Sequence, residues 1–335
     1  MRTEIYITID TEFSIGGAFA DPDTYEPVGE RIVLCEVNGK EEGLGFLLAT
    51  FQEYDVSATF FVEALNTAYF GDGPMGGIVE RIASVGQDIQ LHVHPAWLHF
   101  EKPDWKAQLG EIPPNDSCAG LSLPDLEKIF VKGIDAFGRW GLPKPIALRT
   151  GSLHADRNVY RALANLGIPL ASNIGLAIYE PEEEALRLYG GRTMIEGVME
   201  APVLTYNDLC MGSWRRKRCW SITATSNWEM KHLLRAARNA NVETIVVLTH
   251  PFEYIKKKNI QYHNNLQNKI NQNRLRGLCE FVAAHNNEFV FRSFRNGADE
   301  WSNPVGQTTP LSGNVASTIL RMVENKCNDM LGGMI

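Results

Sequence analysis

Asp88-Ile89-Gln90-Leu91-His92-Val93-His94-Pro95, followed by Ala96-Trp97-Leu98-His99, decides how the chain reads. It is a buried strand that runs into two histidines and is stopped by proline, which has no N–H to continue a ladder. Alternate residues of a strand point to one face, so His92 and His94 project together from its carboxyl end. Two adjacent imidazoles suit a borderline divalent metal such as zinc.

Working outward, other strands also end in chemistry-bearing residues. Ile5-Tyr6-Ile7-Thr8-Ile9-Asp10 alternates and ends in an acid, with Asp10 and Glu12 sharing a face as the histidines do. Pro145 to Arg149 is a strand ending in a charge, and Glu243 to Thr249 is a buried strand ending at His250-Pro251. Ser57–Val62, Ile168–Asn173, Val198–Leu204 and Phe289–Phe294 read as further strands. Helical spacing covers Glu41–Tyr54, Ile78–Val85, Leu121–Trp140, Asp156–Leu166, Trp228–Asn239 and Asn265–His285. Gly16 to Val28 and Ala96 to Gly120 read as long loops, and Trp214 to Trp220 as a basic, aromatic loop. This alternation of strand and helix indicates parallel βαβ units. Polar residues gathered at strand carboxyl ends are what a (β/α) barrel uses for its active site. The expected domain is 1–295, with 296–335 a C-terminal tail, partly flexible, holding one amphipathic piece near Val315 to Val323.

Composition narrows the function. The 335 residues carry 32 Lys+Arg against 40 Asp+Glu, a net charge of -8 that argues against a general nucleic-acid binder. No apolar run approaches a membrane span. The chain reads into a strand from its first residues, which gives the expectation of no signal peptide. Six scattered cysteines with no CxxC spacing read as reduced thiols. The expectation is a soluble, cytoplasmic protein; its oligomeric state is not legible.

Each candidate has a plain alternative. Asp-x-Glu by itself is common on surfaces and at caps, and a lone histidine is often a satisfied core residue. His-x-His at a strand end is more specific because both rings share one space; with a carboxylate they supply three ligands and leave a position open for water. Arg149, buried at a strand end, needs a partner, and Asp10 is the natural one. That pair is either a structural salt bridge or the means of holding a catalytic carboxylate ionised and oriented. His250 is either a core histidine or a proton-transfer group. His154 follows Arg149 closely enough to line the site, while Asp156 reads as a helix cap and His232 and His285 as structural. The Arg215–Arg218 run is either a solvated loop or, between two tryptophans, a grip for an anionic or sugar ligand.

With those residues placed, the chain resembles the polysaccharide deacetylase family (carbohydrate esterase family four) over roughly residues 3 to 295. Ile7-Thr8-Ile9-Asp10-Thr11-Glu12 is similar to the family's Thr-Phe-Asp-Asp-Gly motif, and Ala58-Thr59-Phe60-Phe61-Val62 to its Ala-Thr-Phe-Phe-Val strand. Ile82 through His92 resembles the approach to the His-Ser-x-x-His motif. Arg149 stands where the family has Arg-Pro-Pro-Tyr, and Leu248-Thr249-His250 matches Leu-x-His. The resemblance implies an α/β fold, a distorted (β/α)7 TIM-like barrel, that removes N-acetyl groups from carbohydrate using a divalent metal, commonly Zn2+. It makes Asp10 the catalytic base, His92 a metal ligand, Arg149 the tether of the base and His250 the general acid. The family's second metal Asp aligns with Thr11 and its second metal His with Ala96, neither of them a ligand. Glu12 and His94, each two residues from a motif partner on one strand face, are inferred to take their places, with His99 a substitute for His94. Trp97, Phe100 and Trp105 are expected to form an aromatic wall for a sugar ring. Two other functions stay open: an amidohydrolase acting on a cyclic amide or ureide, and a metal-free glycan-binding pseudoenzyme.

Overall fold

The computed structural model of the chain describes residues 2–211, 214–297, 301, 304–307 and 309–330. Its main sheet has ten strands: β1 (Thr3–Thr11), β2 (Thr59–Glu63), β3 (Asp88–Val93), β4 (Ala147–Thr150), β5 (Leu170–Ala171), β6 (Gly190–Ile195), β7 (Val198–Glu200), β8 (Thr244–Thr249), β9 (Phe289–Phe291) and β10 (Val305–Gln307). They run in the order β8-β1-β2-β3-β4-β5-β7-β6-β10, with β9 on the lower edge of β1. From β8 through β7 every neighbour is parallel; only β6 and β10 are antiparallel. The curl nearly closes. Beyond β7 the chain meets β8 at two parallel bridges, Val203 to Val246 and Ser221 to Leu248, with Leu204 N–H donating to the Val246 carbonyl at 3.0 Å. This is the distorted (β/α)7 barrel.

Strand parity separates two apolar layers. Ile5, Ile7 and Ile9 of β1 join Phe60, Val62, Leu91 and Val247 in the large cluster beneath the helices. Tyr6 instead joins Phe61, Ala147, Leu170, Met199 and Val246 inside the barrel. A parallel sheet is covered on both faces, so its odd and even positions are both apolar until the strands near their carboxyl ends. Phe294 and Trp301 close the opposite, N-terminal mouth; Trp301 Nε1 donates to the Tyr6 hydroxyl at 2.9 Å.

Helices α1 (Leu44–Glu53), α2 (Gly73–Ser84), α3 (Leu123–Arg139), α4 (Arg157–Asn165), α5 (Asn227–Asn239), α6 (Lys269–Ala284) and α7 (Val315–Met330) flank the sheet. Ser122 caps α3 by accepting the Asp125 N–H. Asp156 caps α4, as its spacing predicts, and Ser226 with Glu229 forms a capping box on α5.

Several features differ from the sequence reading. Trp214–Cys219 is a strand, antiparallel to Thr205–Met211, not a loop. Two of its basic residues, Arg216 and Arg218, joined by Arg321 of α7, meet the buried Asp208. The three guanidinium groups overcome the burial of Asp208 and hold its carboxyl well below the usual range. Lys217 pairs with Glu180 at 2.7 Å. The Arg215–Arg218 run conceals a strand because nothing in its own spacing marks Asp208, on the antiparallel neighbour, as the anion that satisfies it. After Asn296, β10 pairs with β6, Leu311–Ser312 pairs with Thr205–Met211, and α7 packs through Thr318 and Arg321. Those contacts are mostly backbone and polar, so hydrophobic periodicity does not reveal them. No helix among the described residues is long and apolar enough to cross a membrane.

Candidate metal centre and catalytic face

At the carboxyl ends of β1 and β3 the even positions remain inward but become polar. Glu12 Oε2 lies 3.1 Å from His92 Nε2 and 2.9 Å from His94 Nε2. One ligand atom from each residue fits within a 4.8 Å spread. Thr11, on the opposite parity, is fully buried and bonds the Ile9 carbonyl. Ala96 lies in a short 3₁₀ turn over Pro95–Glu101. His99 points elsewhere: its Nε2 is 3.0 Å from the Trp105 carbonyl and its ring packs edge-on to Phe19. The structure therefore gathers Glu12, His92 and His94 and leaves out His99.

The cluster's chemistry suits a cation. His92 Nδ1 lies 2.9 Å from the Arg149 carbonyl, which only accepts, so Nδ1 carries the proton. That leaves the Nε2 lone pair facing a carboxylate oxygen, a contact that calls for a proton or a metal ion between them. His94 is gripped by carboxylates at both nitrogens, Glu12 and Asp116. Burial opposes its imidazolium, but the Glu12 charge and the Asp116 and Glu12 hydrogen bonds lift it well above the usual histidine range. Glu12 responds in kind: burial favours its neutral form, yet the charge of His94 and hydrogen bonds from both rings keep its carboxyl well below the usual range. Two nitrogens and one carboxylate oxygen form a donor set that could hold a divalent metal such as zinc, whose binding would displace the Nε2 proton of His94. The residues fit the group.

Beside this cluster stands a buried pair. Arg149 Nη1 donates to Asp10 Oδ1 at 2.7 Å and to Thr8 Oγ1 at 2.9 Å. Its Nε and Nη2 go to the Ser172 carbonyl and hydroxyl at 2.9 and 2.7 Å, and its plane lies 4.3 Å over the Phe61 ring. The guanidinium is wholly buried, so its four bonds fix Asp10 from behind. On the other side, His250 Nε2 is 3.9 Å from Asp10 Oδ2. His250 Nδ1 meets Glu253 Oε1 at 3.2 Å, and Thr249 holds Glu253 at 2.7 Å. Burial disfavours the charged ring, but the bond and charge of Glu253, then Asp10 and Glu12, raise it to about 9.

Four residues of this neighbourhood escape a reading of spacing. Glu253 has a faint signal, since it stands three residues after His250 with Pro251 between, as in a capping box. Glu63 is paired in register with His92; burial pushes its carboxyl up to about 8 against the pull of His94 and two backbone N–H bonds at 2.7 Å. Ser172 and Asp116 have no signal at all. The aromatic segment also departs from expectation: Trp97 and Phe100 are 2% and 7% exposed and pack with Phe19, Tyr69 and Phe70, so they are core rather than a wall open to ligand. The His154 ring lies 4.5 Å from that of Tyr179, which with Ser117, Asp156, Asn158 and Glu182 lines a cavity of about 430 Å³; His154 itself is not part of that lining.

No family model matches this sequence, and no curated protein does. Solved structures do match. A Mycobacterium smegmatis protein described as a polysaccharide deacetylase superposes at a TM-score of 0.51 and 15% identity, over 92% of this chain and 94% of that one. A family-four carbohydrate esterase domain of a multidomain xylanase, from the hindgut metagenome of Trinervitermes trinervoides, gives 0.41 at 11% identity, over 95% and 100%. A family-four pseudoenzyme from Bacillus anthracis gives 0.41 at 10%, over 86% and 63%. The chain has the polysaccharide deacetylase fold.

Proposed function

We propose that this chain is a divalent-metal-dependent hydrolase that removes N-acetyl groups from a glycan or glycan precursor. The observation that carries the proposal is one juxtaposition at the barrel's carboxyl mouth. A Glu12–His92–His94 cluster, an Arg149-backed Asp10 and a Glu253-backed His250 share the carboxyl strand ends, with His250 Nε2 3.9 Å from Asp10 Oδ2. Fold likeness to a protein described as a polysaccharide deacetylase agrees with it.

Glu12, His92 and His94 would hold the ion. When bound, a zinc ion polarises an amide carbonyl and lowers the pKa of water in its open position. Asp10, fixed by Arg149, accepts the proton of the attacking water. His250, protonated at neutral pH, hands a proton to the departing amine nitrogen, and Glu253 keeps its ring turned toward Asp10. The neighbouring cavity offers a saccharide polar side chains and the edge of Tyr179.

The direct test is to load the purified chain with zinc and measure free acetate from N-acetylglucosamine oligomers. Acetate release that is lost on chelation and restored by zinc is expected. A zinc-loaded protein that releases no acetate but opens a cyclic amide or ureide would assign it to the other amidohydrolase class. A chain that takes up no zinc would make it a pseudoenzyme.

His250 gives a prediction about pH. Its folded pKa stands above the ordinary 6.5, so the acid is fully protonated through neutral pH and is lost as pH rises through about 9. A bound cation moves that limb downward. The kcat profile of the wild type is therefore expected to fall on an alkaline limb no higher than about 9. His250→Gln is expected to lose that limb together with roughly 10²-fold or more in kcat. An unchanged alkaline limb in the variant would remove His250 from the proton transfer.

A further inference from the structure

The loop between the aromatic turn and α3 has no residue that composition singles out, yet it places one side chain against the ligand cluster. Asp116 Oδ2 lies 2.6 Å from His94 Nδ1, and Asp116 Oδ1 accepts the Ala96 N–H at 3.2 Å. The carboxylate is thus held by backbone two residues beyond the ring it grips. Gly151 closes the other flank. A Cβ at that position would stand 2.4 Å from His94 Nδ1 and 2.5 Å from Cε1, so the ring fills a slot that only bare backbone can wall. The next two residues, Ser152 and Leu153, have φ of 53° and 56°, a left-handed pair that non-glycine residues adopt only under constraint. His94's own N–H reaches Glu63 Oε1 at 3.4 Å.

We infer that Asp116 is the positioning residue that fixes the tautomer and orientation of His94, and that tight metal retention depends on it. The inference rests on Glu12, His92 and His94 being the ligands. A ring that ligates through Nε2 must keep its proton on Nδ1, and an acceptor at Nδ1 both enforces that tautomer and makes the ring a stronger donor. His92 has a neutral acceptor for this purpose, the Arg149 carbonyl. His94 has a charged one, and it arrives from a loop remote from both motif strands. Without Asp116, the carboxylate that holds the proton on Nδ1 is gone, and the tautomer that leaves Nε2 free to ligate is no longer enforced.

The test titrates zinc into full-length apo protein against a chromophoric chelator, for wild type, Asp116→Asn, Asp116→Ala and Asp116→Glu. Asp116→Ala is expected to weaken zinc binding by roughly 10- to 100-fold, the usual cost of losing such a partner. Asp116→Asn keeps an acceptor without the charge and is expected between Ala and wild type, and Asp116→Glu to recover part of the loss. Apo melting temperatures are expected to stay together, since Asp116 is 42% exposed at its side chain. Equal zinc affinity in wild type and Asp116→Ala overturns the inference, as does an affinity loss that Asp116→Asn and Asp116→Glu share in full. If wild type itself binds no zinc, the ligand assignment falls and this inference with it. Normal wild-type binding with no change in the variants removes Asp116 alone.

Discussion

Asp10→Asn is expected to reduce acetate release by about 10²- to 10⁴-fold, the scale of a lost general base, while zinc content stays at the wild-type level. The substitution is nearly isosteric and keeps an oxygen for Arg149 Nη1, now 2.7 Å from Asp10 Oδ1. What disappears is the ability to accept a proton on the side facing His250. Asp10 does not belong to the Glu12–His92–His94 cluster, so metal uptake is a separate readout. Some stability will go with the charge, because Arg149 stays buried beside a neutral amide. Activity must therefore be compared well below the variant's melting temperature. Wild-type kcat in a folded, zinc-loaded Asp10→Asn protein would exclude Asp10 as the base.

How much of this arrangement the sequence carries follows from where information sits in a barrel. Strand parity is local: His92 and His94 share a face because they are two residues apart, and so do Asp10 and Glu12. The grouping of Glu12 with His92 and His94, in place of Thr11 and Ala96, is legible for that reason, and the structure does bring Glu12, His92 and His94 together. The Arg149–Asp10 pairing is legible from charge burial, since a wholly buried guanidinium must find an anion. Partners supplied from loops or distant strands leave no trace in spacing. Asp116 grips His94 across 22 residues, Ser172 holds Arg149 across 23, and Asp208 gathers Arg321 across 113. The aromatic turn misleads for a related reason. Trp97 and Phe100 suit a sugar platform and a core equally well, and only the neighbouring Phe19, Tyr69 and Phe70 decide for the core.

Arg149→Met is expected to cost about 3–5 kcal/mol of stability and to abolish activity along with it. Methionine fills much of the volume over Phe61 but offers no donor. Asp10 Oδ1, Thr8 Oγ1 and the Ser172 carbonyl and hydroxyl then lose the partner they now have within 2.7–2.9 Å. The dominant loss is the counter-charge of Asp10, which is 7% exposed at its side chain and among the described residues has no other cation within salt-bridge distance except His250, at 3.9 Å. Glu200 adds to the effect from the next strands. Burial raises its carboxyl to about 7, while its hydrogen bonds and the Arg149 charge pull it down, so loss of the guanidinium pushes it further toward the neutral form. Arg149→Lys separates charge from geometry: a single ammonium restores the cation but cannot span Asp10, Thr8 and both Ser172 oxygens at once. Urea unfolding is expected to rank wild type above Lys and Lys above Met, with acetate release falling more steeply than stability, because a free Asp10 carboxylate loses its aim before the fold is lost. A Met variant within about 1 kcal/mol of wild type would mean that water or a shifted neighbour solvates Asp10, since a broken buried pair ordinarily costs several times that.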